Sequence, residues 1–368
     1  MLKSLSVIAV LIAFLGGGCG SSNPDGPADG FDRGAMLSSM AQSYIQPQYT
    51  EAVTRAEALL SSVESLTASP TEERVRTARS AWLACAEQWQ RVSMFDFGPA
   101  EGILGDLVQI VGTFPSNSAR IEALVTAGDT TMTSFERDVR GINALDYLLF
   151  SGSETDVASA LLPSAAGTRA AYMRSVARHL VGELRRVRDA WSSSYAATFS
   201  ANVGTDAGSS ISSIVNNLAM SFEVVKNDKV GLPGGFRAGQ KRSEPERVEA
   251  RYSNNSMRLA RLHFEAIRAF WEGQVPTSSN GATFISIRQY LENVVGGPRL
   301  VDETRAQFAA VEAAFSACGS ESVASLAASN DPRLAALHTE LQKLTRFVKS
   351  ELSSLLGVAI TYSSGDGD

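Results

Sequence analysis

The residues best placed to do chemistry are Asn143 and Asp146, which lie three positions apart in the segment R-G-I-N-A-L-D-Y-L-L-F, residues 140–150. Positions three apart share one face of a helix, so an amide oxygen and a carboxylate could reach one ion or one polar ligand from the same side. Both are hard oxygen donors, which suit Ca²⁺ or Mg²⁺ better than Zn²⁺ or Fe²⁺. The residues also allow a plainer interpretation, in which the pair flanks a buried stripe and faces solvent or caps a neighbouring element.

Other templates for enzymatic chemistry are missing from the sequence. A catalytic zinc site needs about three protein ligands, but no H-E-x-x-H motif occurs and the chain has only 3 His, namely His179, His263 and His338. Each His lies one residue from an apolar helical position, which places it beside a core rather than in a ligand pair. Neither a phosphate-binding loop nor a G-x-S-x-G nucleophile elbow is present. No definite cofactor is therefore predicted, and a divalent metal ion and a polar organic ligand both fit.

The N-terminus is typical of an exported, lipid-anchored protein. A basic Lys3 precedes the apolar stretch 5–15, which is too short to span a bilayer permanently. Three glycines then lead into Cys19, and this resembles a bacterial lipoprotein cleavage box, in which the cysteine becomes the acylated mature N-terminus. We predict a signal peptide at 1–18 and lipidation of Cys19. Ordinary secretory cleavage nearby remains the alternative.

The segment after Cys19 is rich in Gly, Ser, Pro and Asp, and it is predicted to be a flexible tether over 19–34. The two residues that follow the cysteine, Gly20 and Ser21, lack the Asp that can mark inner-membrane retention in some bacteria. The expected location is the cell envelope, facing the periplasm, with an anchor in the outer membrane favoured. The predicted partners are the membrane and a small ligand or metal, and the oligomeric state is left open.

Composition and charge narrow the class of protein. The 368 residues carry a formal net charge of −6, which argues against nucleic acid as a partner. The length suits two domains rather than one helical core. Besides Cys19 the chain has Cys85 and Cys318, which fall on apolar helical stripes and are predicted to be two separate buried thiols.

Helical periodicity recurs through both halves of the chain, and strand signals are nearly absent. The clearest case follows Ser69, which is predicted to cap a helix with Pro at its first position. Its apolar seam recurs at spacings of 3 and 4 and comprises Val75, Ala78, Trp82, Cys85, Trp89 and Val92. We predict an all-α fold of two tandem up-and-down helical bundles packed around an interdomain crevice. The predicted bundles span residues 35–203 and 204–368.

The segment between Lys226 and Arg251 mixes basic and acidic residues. Its favoured interpretation is a solvated linker between helices. The alternative is an anion-contacting arm at the crevice.

The segment 140–150 and five further segments, in the right order along the mature chain, resemble the imelysin family of insulin-cleaving metalloproteases. In that family the segment 140–150 reads Arg-Gly-aromatic-His-x-x-Glu-Tyr-Leu-Leu, so Asn143 stands where the family has His and Asp146 stands where it has Glu. The other segments begin at Tyr44, Ala81, Lys229, Glu249 and Leu356, the last ending in Asp366-Gly367-Asp368. The resemblance implies two helical bundles with a polar site in the crevice between them.

The resemblance also implies which residues line that site. The expected ligand-contacting residues are Arg140, Gly141, Asn143, Asp146 and Tyr147 from the first half and Tyr252, Ser253, Asn255 and Asp366 from the second. Asn143 and Asp146 are also the candidate metal ligands, although the signature nitrogen ligand is lost. The expected function is binding of a small ligand or metal, in iron or nutrient uptake. A metallopeptidase and an envelope scaffold remain alternatives, and no catalytic residue is assigned.

Overall fold

The structure is a computed structural model that describes residues 30–103, 105–162, 167–276 and 281–361. The predicted signal peptide, Cys19 and most of the predicted tether lie outside the described residues, as does Asp366. Within the described ranges no β-strand forms, and only an isolated antiparallel bridge joins Gln274 to Thr283. The all-α prediction is confirmed.

The first half of the chain is built on three long helices with shorter ones between them. A π-helical segment, Ala41–Ile45, joins the first two helices, and another, Trp191–Tyr195, follows the eighth. The helices are α1 (Arg33–Met40), α2 (Gln46–Ala68), α3 (Glu72–Val92), α4 (Leu107–Gly112), α5 (Ser118–Ala127), α6 (Gly141–Phe150), α7 (Glu154–Ala160), α8 (Thr168–Ala190) and α9 (Ala196–Ala201).

The second half repeats this helical style. Its π-helical segments are Val224–Gly231 and Arg346–Glu351. Its helices are α10 (Ser210–Glu223), α11 (Leu232–Gly234), α12 (Ser256–Glu272), α13 (Ile287–Glu292), α14 (Gly297–Cys318), α15 (Val323–Ala328), α16 (Pro332–Thr345) and α17 (Leu352–Leu356). The predicted boundary near residue 203 falls in the turn between α9 and α10, and the division into two domains there stays a prediction.

Helix α3 shows how the sequence specifies these elements. Its cap is Thr71, whose hydroxyl accepts a hydrogen bond from the Arg74 amide, and Glu72 and Glu73 complement the helix dipole in the first turn. The prediction that Ser69 caps this helix is wrong, because Ser69 instead ends α2. The predicted apolar seam is confirmed, since all six of its residues are buried. Cys85 and Cys318 are free and buried, as predicted.

The two bundles share one continuous hydrophobic core. Helix α2 packs between α3 and α8, and α3 also packs against α12 of the second half. Aromatic rings join the halves at this contact: Tyr44 lies 5.1 Å from Phe270, and Phe95 lies 5.1 Å from Phe270, between ring centroids. In the described part of the chain, no helix is both long and apolar enough to cross a membrane.

Trp82 supports the core of the first bundle. Its side chain is fully buried, its indole N–H donates to the Ile142 carbonyl at 2.9 Å, and its ring meets Phe150 edge-on. Trp82→Ala should lower the free energy of unfolding by about 3–5 kcal/mol, measured by urea denaturation. Phe135, with 69% of its surface exposed, is the control, and Phe135→Ala should change stability by about 0.5 kcal/mol or less. Equal effects of the two substitutions would contradict a core role for Trp82.

Candidate functional site

The start of helix α6 is fixed by two residues that were predicted to contact a ligand. Arg140 is buried, and its guanidinium donates hydrogen bonds to the backbone carbonyls of Met132, Ser134 and Glu136. Gly141 has a φ of +73°, and a Cβ there would lie 2.3 Å from the Val111 carbonyl oxygen. Glycine is therefore required where α6 begins against the end of α4. In this arrangement both residues shape the helix start.

Asn143 and Asp146 lie on one face of α6, as predicted, and both are buried. The Asn143 amide donates to the Gly112 carbonyl at 3.3 Å and accepts from the Ala250 amide at 2.9 Å. The two carboxylate oxygens of Asp146 accept from the backbone amides of Tyr252 and Ser253, at 2.8 and 3.0 Å. The pair thus holds a loop of the second half, residues 249–253, against the first half. We call these contacts the loop clamp.

Burial sets the ionisation of Asp146. Desolvation raises the pKa of its carboxyl to about 6, while hydrogen bonds from Ser253 and Tyr252 limit the rise and the charge of Glu249 adds to it. Each oxygen of Asp146 accepts one backbone donor, and with Asn143 it supplies only two side-chain oxygens, fewer ligands than a divalent metal ion needs. Among the described residues, no group of three or more His, Cys, Asp and Glu side chains is arranged to hold a metal.

The other predicted residues surround the loop clamp. The Tyr147 ring lies 4.9 Å from the Tyr252 ring, and its hydroxyl donates to Glu122 at 2.6 Å. Asn255 is the N-cap residue of α12, and its side chain donates to the Ser253 carbonyl. The structure therefore brings Asn143, Asp146, Tyr147, Tyr252 and Ser253 together. Contact of any of them with a ligand stays a prediction.

A cleft opens between the two halves, beside the loop clamp. Its larger part, which we call the acidic lobe, has a volume of about 870 Å³. The lobe takes its walls from the 93–109 region and from α10, and three carboxylates lie on the first wall: Asp96, Glu101 and Asp106. Burial, with added repulsion from Asp106 and Glu101, raises the pKa of Asp96 to about 7, although the Val108 amide donates to it.

The smaller part, which we call the basic lobe, has a volume of about 310 Å³. Its ionisable walls include Lys229, Arg237 and Arg247 together with Asp228 and Glu249. Trp89 and Gly112 line the same lobe, and Gly112 is the residue whose carbonyl binds Asn143. The loop clamp therefore adjoins this lobe, through Gly112 and through Glu249 at the start of the clamped loop.

His263 lies where the lobes meet, because it lines both. The imidazole is 3% exposed, and its Nε2 lies 2.6 Å from the Ser221 hydroxyl and 3.3 Å from the Ser93 hydroxyl. Its Nδ1 is buried and has no hydrogen-bond partner among the described residues. Burial, helped by the charge of Lys229, lowers the pKa of His263 well below its usual value. The ring is therefore neutral near pH 7.

A buried ionic network borders the basic lobe. The Lys229 ammonium donates to Glu249 at 2.8 Å and to the amide oxygen of Gln90, and Gln90 donates to Glu249 at 3.1 Å. Lys226 pairs with Glu223 at 2.9 Å in the same π-helical stretch. Both lysines are buried. The solvated-linker interpretation is therefore wrong for residues 226–231, although Lys241 and Arg242 further along are exposed.

Sequence reasoning missed most of the cleft. His263 was placed beside the core, and Phe264 does lie in the apolar seam, but the position of His263 on the cleft depends on helix packing. Gln90, Ser93, Asp96 and Ser221 carry no local signal at all. The one sequence feature that indicated the cleft was the mixture of basic and acidic residues around Lys229. It gave rise to the alternative interpretation of an anion-contacting arm.

Three comparisons relate the chain to known proteins. The family model described as Imelysin matches residues 45–348. A solved structure of a candidate iron-regulated protein A precursor from Parabacteroides distasonis ATCC 8503 is 18% identical, with a TM-score of 0.72 over 90% of this chain and 97% of that one. An imelysin-like protein from Psychrobacter arcticum 273-4 is 17% identical, with a TM-score of 0.69 over the same shares. These structural likenesses show the fold. The search of curated proteins finds no match.

Removing the Asp146 carboxylate tests the loop clamp. Asp146→Ala leaves two backbone amides without their acceptor, at a cost of about 1–3 kcal/mol each, partly offset because a desolvated carboxylate is removed. We expect a net loss of about 2 kcal/mol in the free energy of unfolding by urea denaturation. Asp189 is exposed, and Asp189→Ala should cost about 0.5 kcal/mol or less. If the loop clamp does not stabilise the fold, both variants should have the same free energy of unfolding as the wild type.

The buried neutral His263 predicts a pH dependence of stability. Its folded pKa is depressed, so the unfolded chain takes up the proton first and stability is lost as the pH falls below about 6.5. Between about pH 7.5 and about pH 5.5 the wild type should lose about 1.4 kcal/mol more than His263→Gln. Denaturation at the two pH values measures this difference, in which the contributions of other groups cancel. Parallel loss in both proteins would show that His263 is not buried in its neutral form.

Proposed function

The chain belongs to the imelysin family, and on that premise we propose that it is a cell-envelope protein that binds a small polar ligand in the cleft between its helical bundles. The observation that carries the proposal is the cleft itself, which is built from both halves and lined by polar side chains around His263. Binding sites are commonly concave, lie at domain interfaces and have a few convergent polar groups.

Two features support this site over the face of α6. The polar atoms of Asn143 and Asp146 are taken up by the loop clamp, whereas the cleft holds polar atoms that lack partners within the described chain. In this proposal Asn143 and Asp146 position the wall of the basic lobe, and the ligand contacts side chains of the cleft. Arg140 and Gly141 position α6 in turn.

The biological role we propose is iron or nutrient uptake at the envelope. One relative of similar fold is described as iron-regulated, and the leader sequence predicts export with a lipid anchor at Cys19. An iron ligand would enter as a polar complex rather than through the positions of the signature pair. The metallopeptidase alternative depends on a metal at those positions, where the residues present do not fit one, so no hydrolytic step is derived.

Filling the cleft tests ligand binding there. Ser213 is half-buried on α10 and lines the acidic lobe, so Ser213→Trp should occupy the lobe. The probes are ferric citrate, Zn²⁺, Ca²⁺, free amino acids and short peptides, tested by the shift of thermal unfolding. A ligand present at 100 times its Kd stabilises the folded state by about 2.7 kcal/mol, and Ser213→Trp should abolish that shift.

The control is Ser192→Trp, which adds the same ring at an exposed position outside the cleft. It should respond to the probe as the wild type does. Ligand-induced shifts that survive in Ser213→Trp would place the site elsewhere, and so would a shift lost in both variants.

The anchor is tested separately. Cys19→Ser removes the thiol that would be acylated and should move the protein from the membrane to the soluble fraction of the envelope. Fractionation and mass spectrometry of the mature N-terminus measure the change. If the distribution does not change and the wild type carries no acyl group, the anchor assignment is wrong.

A further inference from the structure

The two lobes of the cleft carry charges of opposite sign. The acidic lobe is lined by the carboxylates of Asp96, Glu101 and Asp106, and no Lys or Arg lies among its described lining residues. His263, which also lines it, is neutral because burial lowers its pKa. A positively charged group entering this lobe would meet the carboxylates of Glu101 and Asp106 and the carboxyl of Asp96, whose pKa is raised to about 7, and no Lys or Arg of the described lining.

The basic lobe has the opposite balance. Three cations, Lys229, Arg237 and Arg247, face two carboxylates, Asp228 and Glu249. Among the described residues the guanidinium of Arg247 makes a single hydrogen bond, to the Glu244 carboxylate at 3.3 Å, and about half of the Arg247 side chain is exposed. A guanidinium carries five N–H donors and matches a carboxylate in a bidentate geometry, so Arg247 retains donors for an anionic group.

Two residues that line the acidic lobe carry unpartnered polar atoms, and this observation is independent of the charges. The side-chain oxygen of Asn217 and the Nδ1 of His263 are both buried, and neither has a partner within the described residues. The Asn217 amide nitrogen is already used by the Ser213 carbonyl, so the oxygen remains as an acceptor. Buried polar atoms without partners are rare and costly, and a bound molecule with N–H donors would satisfy the Asn217 oxygen.

We propose that the cleft binds a zwitterion of the amino-acid or short-peptide class, with its ammonium in the acidic lobe and its carboxylate against Arg247 in the basic lobe. This inference rests on the proposed function and names the ligand class of the same site. The backbone of the ligand passes His263, whose Nδ1 pairs with one of its polar groups.

The dimensions of the cleft agree with this class. The lobes measure about 870 Å³ and about 310 Å³ and share the side chains of Ser93, Val108, Gln109, Val224 and His263. Pockets of roughly 300–1,000 Å³ enclose drug-sized molecules, and the volume of each lobe falls in that range. A simple anion would leave the acidic groups of the larger lobe without a counter-charge, and a simple cation would leave the remaining N–H donors of Arg247 without an acceptor.

Calorimetric titration of the purified full-length protein in detergent tests the proposal with four probes. Tri-alanine carries both charges, N-acetyl-tri-alanine carries only the carboxylate, tri-alanine amide carries only the ammonium, and citrate is an anion without an ammonium. Tri-alanine should bind, and each capped peptide should bind at least tenfold more weakly, which corresponds to about 1.4 kcal/mol.

Two substitutions assign the ends of the ligand. Asp106→Asn should weaken binding of tri-alanine and its amide and leave the acetylated peptide unchanged, whereas Arg247→Gln should weaken tri-alanine and the acetylated peptide and leave the amide unchanged. Asp189→Asn and Arg76→Gln change exposed charges outside the cleft and should have no effect.

The outcomes separate this inference from the proposed function. Binding of citrate but of no peptide, blocked by Ser213→Trp, would overturn the zwitterion and keep the cleft as a ligand site. Equal binding of capped and uncapped peptides would also overturn the zwitterion proposal. So would an Asp106→Asn that weakens the acetylated peptide, or an Arg247→Gln that weakens the peptide amide. Tight tri-alanine binding that Ser213→Trp leaves intact would remove the cleft as the site, and both proposals would fail together.

Discussion

One buried carboxylate connects the two halves of this protein by accepting hydrogen bonds from two backbone amides. Asp146 on α6 accepts from Tyr252 and Ser253, more than 100 residues further along the chain, and Asn143 adds a third bond, from Ala250. Buried backbone donors must find acceptors, and Ala250 itself has a φ of +51°, which few non-glycine residues adopt. The loop keeps this conformation because side chains from the other bundle satisfy its amides.

The loop clamp fixes what lies on either side of it. Immediately before the loop, Glu249 is set beside Lys229 and Gln90, where it balances a buried ammonium at the edge of the basic lobe. Immediately after the loop, α12 begins at Ser256 and carries His263 to the junction of the lobes two turns later. One hydrogen-bonded loop thus fixes the positions of both the charged network and the imidazole. The shape of the cleft follows from those positions rather than from any residue of the cleft alone.

The sequence predicts the helices well because their apolar seams are local, as the seam through Trp82 and Trp89 shows. It also places Asn143 and Asp146 on one face, since helical spacing alone decides that. It could not predict what they bind, because their partners are backbone amides distant in the chain and a backbone amide has no sequence signature. The burial of Lys229 could not be predicted either. A charged segment is expected to be exposed to solvent unless its partners are known, and the partners of Lys229 are Gln90 and Glu249.

The departure from the family signature at Asn143 has a physical meaning beyond the loss of a nitrogen ligand. An amide side chain offers a donor and an acceptor at one end, and Asn143 uses them for a carbonyl of one half and an amide of the other. An imidazole that binds a metal through one nitrogen has only its other nitrogen for the protein. A side chain at position 143 therefore serves the metal or the loop clamp, but not both fully. Both carboxylate oxygens of Asp146 accept hydrogen bonds from the clamped loop. In the proposed function a ligand is therefore recognised by side chains of the cleft rather than by this face, and two cleft residues, Asn217 and His263, carry buried polar atoms without a partner among the described residues.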